Sequence, residues 1–243
     1  MRRDILTIIW KEWTEVLLQG GSRGRYWPFL FVLIVGVILP LQGGTIWVDT
    51  PAGLILGIWL PLLLVNNLIA DSFAGERERH TLETLLASRL SDLAILLGKI
   101  LASAIYAWGM TIIVMLVILV TVNVRDWQGI IRLYPIEVIL GAPILAFLSA
   151  LFSTLVGVLI SLRASSVRQA QQTLGLAVML LVFVPSIGIN LIPAAWMDNI
   201  GRWLMELDVL QGALTLGIVV FALDFFLLLI ARKRFQRSEL ILD

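Results

Sequence analysis

The chain has no cysteine and a single histidine, His80, among its 243 residues. The first absence excludes disulfides, iron–sulfur clusters and thiolate zinc sites. The second leaves no histidine pair for a metal centre. Charge is scarce too: charged residues make up 14% of the chain, against roughly 25% in an ordinary soluble domain. The net charge of +1 lacks the basic excess that nucleic acid requires. Apolar residues dominate instead, at 59%, with a mean hydropathy of +0.96. A water-soluble fold of this size cannot hide that much apolar surface. The composition describes an integral membrane protein. The length suits one membrane domain with no separate catalytic domain.

A helix of about 20 apolar residues crosses a hydrocarbon core of about 30 Å. Six such stretches stand out, at residues 26–48, 52–70, 100–124, 138–162, 171–193 and 209–231. Charged residues border them: Asp49, Asp71, Lys99, Arg125, Glu137 and Arg163. They must be helical, because lipid offers no partner to an open backbone and no barrel-like alternation is present. Pro185 and Pro193 are expected to break the fifth stretch. The segment 192–208, with Trp196 and Trp203, then either dips back into the outer leaflet or lies flat in the headgroup belt. Of the Lys and Arg residues, 15 fall on one side of this arrangement and 3 (Arg125, Arg132 and Arg202) on the other. Basic loops stay inside, so the reading is a multi-pass protein of the cell membrane with both termini cytoplasmic.

The N-terminal Arg2-Arg3 pair resembles a signal n-region, but no uninterrupted apolar stretch or small-residue cleavage site follows. Residues 4–18 read instead as an amphipathic helix. Asp4, Thr7, Lys11, Thr14 and Glu15 share one face, and Ile5, Ile9, Trp13, Val16 and Leu17 the other. Such a helix suits the plane of the inner membrane surface. Gly20, Gly21 and Gly24 separate it from the first span.

Enzyme signatures fail one by one. Gly98-Lys99 suggests a phosphate loop, but Leu93 stands where the motif needs Gly and Ile100 where it needs Ser or Thr. No His-Glu-x-x-His, Gly-x-Ser-x-Gly or Gly-x-Gly-x-x-Gly is present. The lone His80 lies in a charged loop, where solvation explains it. The chain is not expected to be an enzyme by itself.

The most informative segment is Gly75-Glu76-Arg77-Glu78-Arg79-His80-Thr81-Leu82-Glu83-Thr84-Leu85-Leu86. Its first half alternates charge. In its second half Leu82, Leu85 and Leu86 share a helical face, and Thr81 is placed to cap the turn. A short amphipathic helix presented to the cytoplasm suits a partner groove, or else lies with its leucines on the membrane surface.

This stretch, from Asp71 to Lys99, resembles the permease subunits of type-2 ABC exporters, whose loop between spans two and three carries a Thr-Leu-Glu-x-Leu-Leu segment. The loop 163–172 (Arg163, Ser165, Ser166, Arg168, Gln169 and Gln172 among its residues) resembles that family's second cytoplasmic loop. The amphipathic N-terminal helix, the six spans and the outer segment before span six extend the likeness over most of the chain. His80 and Arg89 depart from the family, which has Gly and Pro at those places. The resemblance implies an all-α membrane protein with an interfacial connecting helix and a coupling helix at residues 75–90. It also implies a separate nucleotide-binding ATPase subunit that holds the ATP and Mg, and a second permease copy, as a homodimer or related heterodimer. On that reading Leu82, Leu85 and Leu86 bury against the ATPase. Glu76, Arg77, Glu78, Arg79 and Glu83 fix register through charge pairs, partly among themselves.

Within the membrane, span four carries Ser149, Ser153, Gly157 and Ser161 every fourth residue, beside Ala142, Ala146, Ala150 and Thr154. Small ridges let helices approach closely, within one subunit or between two. Asp224 is the one charge at membrane depth. Burying it costs roughly 2.5–3.5 kcal/mol, so a partner on another span, protonation or a wet cavity must accommodate it. With Asn66 and Asn67 it is a pathway candidate. A stand-alone secondary transporter or channel using Asp224 is the alternative function.

Overall fold

The structure is a computed structural model that describes residues 1–19, 22–81, 84, 87–191 and 208–235; the described residues form helices and no strands. Helix α1 (Arg2–Gln19) is followed by α2 (Ser22–Leu33), which runs directly into a π-helical turn (Ile34–Ile38) and α3 (Leu39–Gly43). The wider turn has a sequence cause. Pro40 has no N–H to give the Gly36 carbonyl, and the Thr121 hydroxyl donates to that carbonyl at 3.0 Å instead. Gly44, at φ +62°, then ends the apolar stretch in a left-handed turn. The first expected span, 26–48, is therefore an apolar helix over Pro28–Gly43 followed by a turn and the short α4 (Ile46–Asp49).

Helix α5 (Ala52–Glu78) runs eight residues past the expected end of span two and carries Asp71, Glu76, Arg77 and Glu78 on it. Helix α6 (Asp92–Arg125) begins eight residues before the expected start of span three. The Ser91 hydroxyl caps it, accepting from the Ala94 N–H at 3.3 Å. Helix α7 (Ile136–Ser161) starts at Pro135, whose fixed φ suits a helix entry. Helix α8 (Val167–Leu191) runs through Pro185, so the expected break there does not occur. Proline is tolerated inside membrane helices where neighbouring groups re-satisfy the carbonyl it frees. The segment 192–207, with Trp196 and Trp203, lies outside the described residues. Helix α9 (Val209–Arg234) is capped by Asp208, which accepts from the Leu210 N–H at 3.4 Å.

Among the described residues, four helices are long and apolar enough to cross a membrane: α5, α6, α7 and α9. Helices α5 and α7 run in the same direction and pack along their length. Gly57 makes this possible: a Cβ there would sit 2.8 Å from the Ala142 carbonyl oxygen. Further along, Gly157 lies against Ile69. The Ser161 hydroxyl then donates to the Ala70 carbonyl at 3.1 Å and accepts from the Phe73 and Ala74 N–H groups. The small ridge of span four is thus buried inside this chain: Ala142, Ala146, Ser149, Ala150, Ser153, Thr154 and Ser161 are all buried. Helix α9 packs on another side of α7, with Gly141 opposite Ala213 and Gly217 opposite Leu148. Its other face exposes Phe221, Phe225, Phe226 and Leu229.

At the end of the bundle where α5 begins, Asn123 holds the α6–α7 loop by pairing both ways with the Arg132 backbone, at 2.7 and 3.0 Å. Arg132 reaches Asp49 at 2.8 Å.

Candidate functional site

The opposite end gathers the motif residues. Helix α1 lies against the first turns of α6. Ile8 is buried there, where Gly98 leaves no Cβ to block it, and the Trp13 indole donates to the Ala102 carbonyl at 3.0 Å. This orientation differs from the expected one. Lys11, Glu12 and Glu15 turn toward the bundle, and Leu6 and Trp10 are exposed. The polar face finds charged partners there that a water-facing helix would lack.

Those partners are Glu76 and Lys99. Lys99 is 1% exposed, and its ammonium donates to Glu12 Oε1 at 2.7 Å, the Ser72 carbonyl at 2.7 Å and Glu76 Oε1 at 3.0 Å. All three of its donors are satisfied, and it also stands 5.1 Å from the centre of the Phe73 ring. Lys11 donates to the same Glu76 oxygen at 2.7 Å and stands 3.3 Å from Glu15. Burial alone would lower the Lys11 pKa. The Glu76 hydrogen bond and the surrounding carboxylates outweigh it and hold the value above the ordinary 10.5. Three elements, α1, α5 and α6, are therefore joined by one ionic knot. Buried charges of this kind are tolerated only when paired and hydrogen-bonded.

The next residues tie α5 to the loop after α7. Arg77 donates to the Ala164 carbonyl at 2.8 Å and the Leu162 carbonyl at 2.9 Å, where α7 leaves its last carbonyls unclaimed. Glu78 accepts from the Val167 N–H at 3.2 Å, at the start of α8, where a carboxylate also complements the helix dipole. Gln169 closes the same loop by accepting from the Ser165 N–H and hydroxyl at 2.9 and 2.8 Å. Arg163 and Arg168 are exposed beside it. The two loops singled out in the sequence thus meet directly.

Glu76 and Arg77 differ from the expected docking role. Both are spent on contacts within the chain, because helix α5 continues far enough to carry them back against α6 and α7. Arg79 stays outward and pairs with Asp71 at 3.2 Å. Burial lowers its pKa and the Asp71 hydrogen bond raises it, with a net rise above the ordinary arginine value. His80 ends the helix at φ +56°, a left-handed conformation in which histidine is commoner than most non-glycine residues. The family resemblance places a glycine here, and the backbone explains that preference. Thr81 donates its N–H to the Glu76 carbonyl at 2.9 Å. Leu82, Glu83, Leu85 and Leu86 lie outside the described residues. Thr84 is helical and exposed.

The sequence reading missed Lys11, Glu12 and Lys99 as site residues. The available signal was position: Lys99 falls two turns inside the helix that Ser91 caps, and an ammonium there requires a carboxylate from another element.

The pathway candidates are placed apart from this knot. Asp224 is buried on α9, and neither carboxyl oxygen has a hydrogen-bond partner among the described residues. The Asn66 side-chain oxygen on α5 is buried and likewise unpartnered among them. Asn67 is within α5, with its side chain outside the described set.

Comparison with known proteins places this geometry. The family model described as ABC-2 type transporter matches residues 3–207. The ABC transporter permease protein NatB of Bacillus subtilis (strain 168) is 29% identical over 143 residues, covering 54% of this chain and 37% of that protein. The chain thus spans well under half the length of this curated relative. No solved structure matches.

Proposed function

The chain belongs to the ABC-2 type transporter family, and from that premise we propose that it is the permease subunit of an ATP-driven exporter. It forms the membrane pathway with a second permease copy, identical or related, and takes its free energy from a separate nucleotide-binding subunit that holds ATP and Mg. Six helices cross the membrane: the four long apolar helices, the Pro28–Gly43 helix and α8. Both termini, the segment 75–90 and the loop 163–172 face the cytoplasm. Helix α1 lies at the inner interface, with Leu6 and Trp10 toward lipid and its charges toward the bundle.

The coupling element is the segment 75–90. Leu82, Leu85 and Leu86 enter the ATPase groove, with Glu83 and Arg79 setting register at the rim. The observation that carries this reading is the double attachment of the segment's base. Glu76 is locked to Lys99 and Lys11, and Arg77 and Glu78 are locked to the α7–α8 loop. A partner that moves the segment must move α1, α5, α6 and α7 together, which is what a lever requires.

The test is copurification of the candidate ATPase subunit with the wild-type chain and with Glu83→Arg and Leu85→Asp. Retention by wild type and loss from both variants supports the assignment. Equal retention by all three removes it. A second reading, transport driven by an ion gradient through Asp224, draws on the unpartnered burial of that carboxyl. Transport that follows an imposed gradient and ignores ATP would select it.

A further inference from the structure

A cavity of about 460 Å³ opens where α7, α8 and α9 converge at the arginine-rich end of the bundle. Leu159, Ile160 and Ile230 with Ala164 form its apolar part, and Arg163, Arg234, Gln169 and Thr173 its polar part. Both arginines are exposed, and neither has an ion pair or hydrogen bond among the described residues. The lining therefore offers two guanidinium forks and a hydroxyl above an aliphatic wall. Arg234 stands on the last turn of α9, just past its apolar stretch. Below it α9 exposes Phe225, Phe226 and Leu229 to the surroundings.

We propose that this cavity binds the headgroup of an anionic phospholipid, with Arg163 and Arg234 on the phosphate and the acyl chains lying along the exposed face of α9. Planar guanidinium groups match phosphate oxygens two at a time, and basic pockets between membrane helices on the inner side take such headgroups. The aliphatic wall decides the source of the anion. A free phosphate, or a carboxylate from a soluble partner, leaves Leu159, Ile160 and Ile230 uncovered, whereas a diacyl lipid covers both parts. Arg163 and Ala164 belong to the loop that Arg77 also grips, so lipid binding is read on the chain without the ATPase subunit.

The test measures thermal unfolding of the purified full chain in detergent during titration with short-chain phosphatidylglycerol, short-chain phosphatidylcholine or inorganic phosphate. Stabilisation by phosphatidylglycerol alone is expected. Removing one arginine near the surface weakens such binding by about fivefold, so Arg163→Gln with Arg234→Gln should weaken it by about 25-fold, and Arg232→Gln by less. If the double variant does not fold, Arg163→Lys with Arg234→Lys keeps the charges and removes the forks, and must still prefer phosphatidylglycerol, more weakly. Equal stabilisation by phosphatidylcholine, an equal effect of inorganic phosphate, or unchanged lipid affinity in the double variant would each overturn the proposal. So would loss of the ATPase subunit from the double variant without any lipid preference in wild type, which would assign the arginines to a protein partner.

Discussion

Lys99 concentrates the energetics of the ionic knot in one side chain. An ammonium that is 1% exposed holds two carboxylates and a carbonyl, so Lys99→Met strands Glu76 and Glu12 beside Lys11 alone. Breaking a buried pair from one side costs about 3–5 kcal/mol. Detergent thermal unfolding should register that loss, and a cycle with Glu76→Gln should show strong coupling between the two positions. Lys11 carries a pH signature. Its folded pKa lies above the ordinary 10.5, so its contribution is complete below that value and is lost as pH rises through the folded one. Wild type and Lys11→Gln should differ in melting temperature at pH 8 and converge only as pH passes the raised folded value. His80 is tested by conformation. Its φ of +56° costs an L residue about 1–2 kcal/mol. Glycine recovers this less about 0.5–1 kcal/mol of unfolded-state freedom, so His80→Gly should be neutral to slightly stabilising. The β-branched His80→Val should lose more than 1 kcal/mol in the same assay.

The helix pair α5–α7 tests packing at the next scale. A Cβ on Gly57 meets the Ala142 carbonyl at 2.8 Å, whereas one on Gly212 meets nothing within 4 Å. Gly57→Leu should therefore destabilise by about 1–3 kcal/mol or more, and Gly212→Leu should not, as measured by detergent melting. These elements also show what the sequence made legible. Hydropathy windows bounded by charges located the four long apolar helices to within a turn at one or both ends, because lipid leaves such segments no alternative structure. Their extensions were hidden. Helix α5 reaches Glu78 because Lys99, Lys11 and the α7–α8 loop neutralise its last turns, and those partners are distant in sequence. The π-turn at Ile34–Ile38 depends on Thr121, some 85 residues away. The motif itself was legible as a charged, amphipathic loop. That its first residues point inward and its base is bolted to α1, α6 and the α7–α8 loop was not, since local periodicity carries no record of where a helix end docks.

At the scale of the whole molecule, the charge asymmetry and the ionic knot mark the same end. The knot links α1 to α5 and α6, and the α7–α8 loop is tied to α5, so the end that would receive force from a partner joins five elements. The chain has no cysteine, which makes single-cysteine chemistry direct. The decisive measurement is the rate at which an impermeant maleimide modifies Thr84→Cys, an exposed position in the coupling segment, with and without the ATPase subunit. Gln128→Cys, exposed in the α6–α7 loop at the other end, serves as the reference. The account predicts that the ATPase subunit slows modification of Thr84→Cys at least tenfold and leaves Gln128→Cys unchanged. Equal rates at Thr84→Cys with and without the subunit would contradict it.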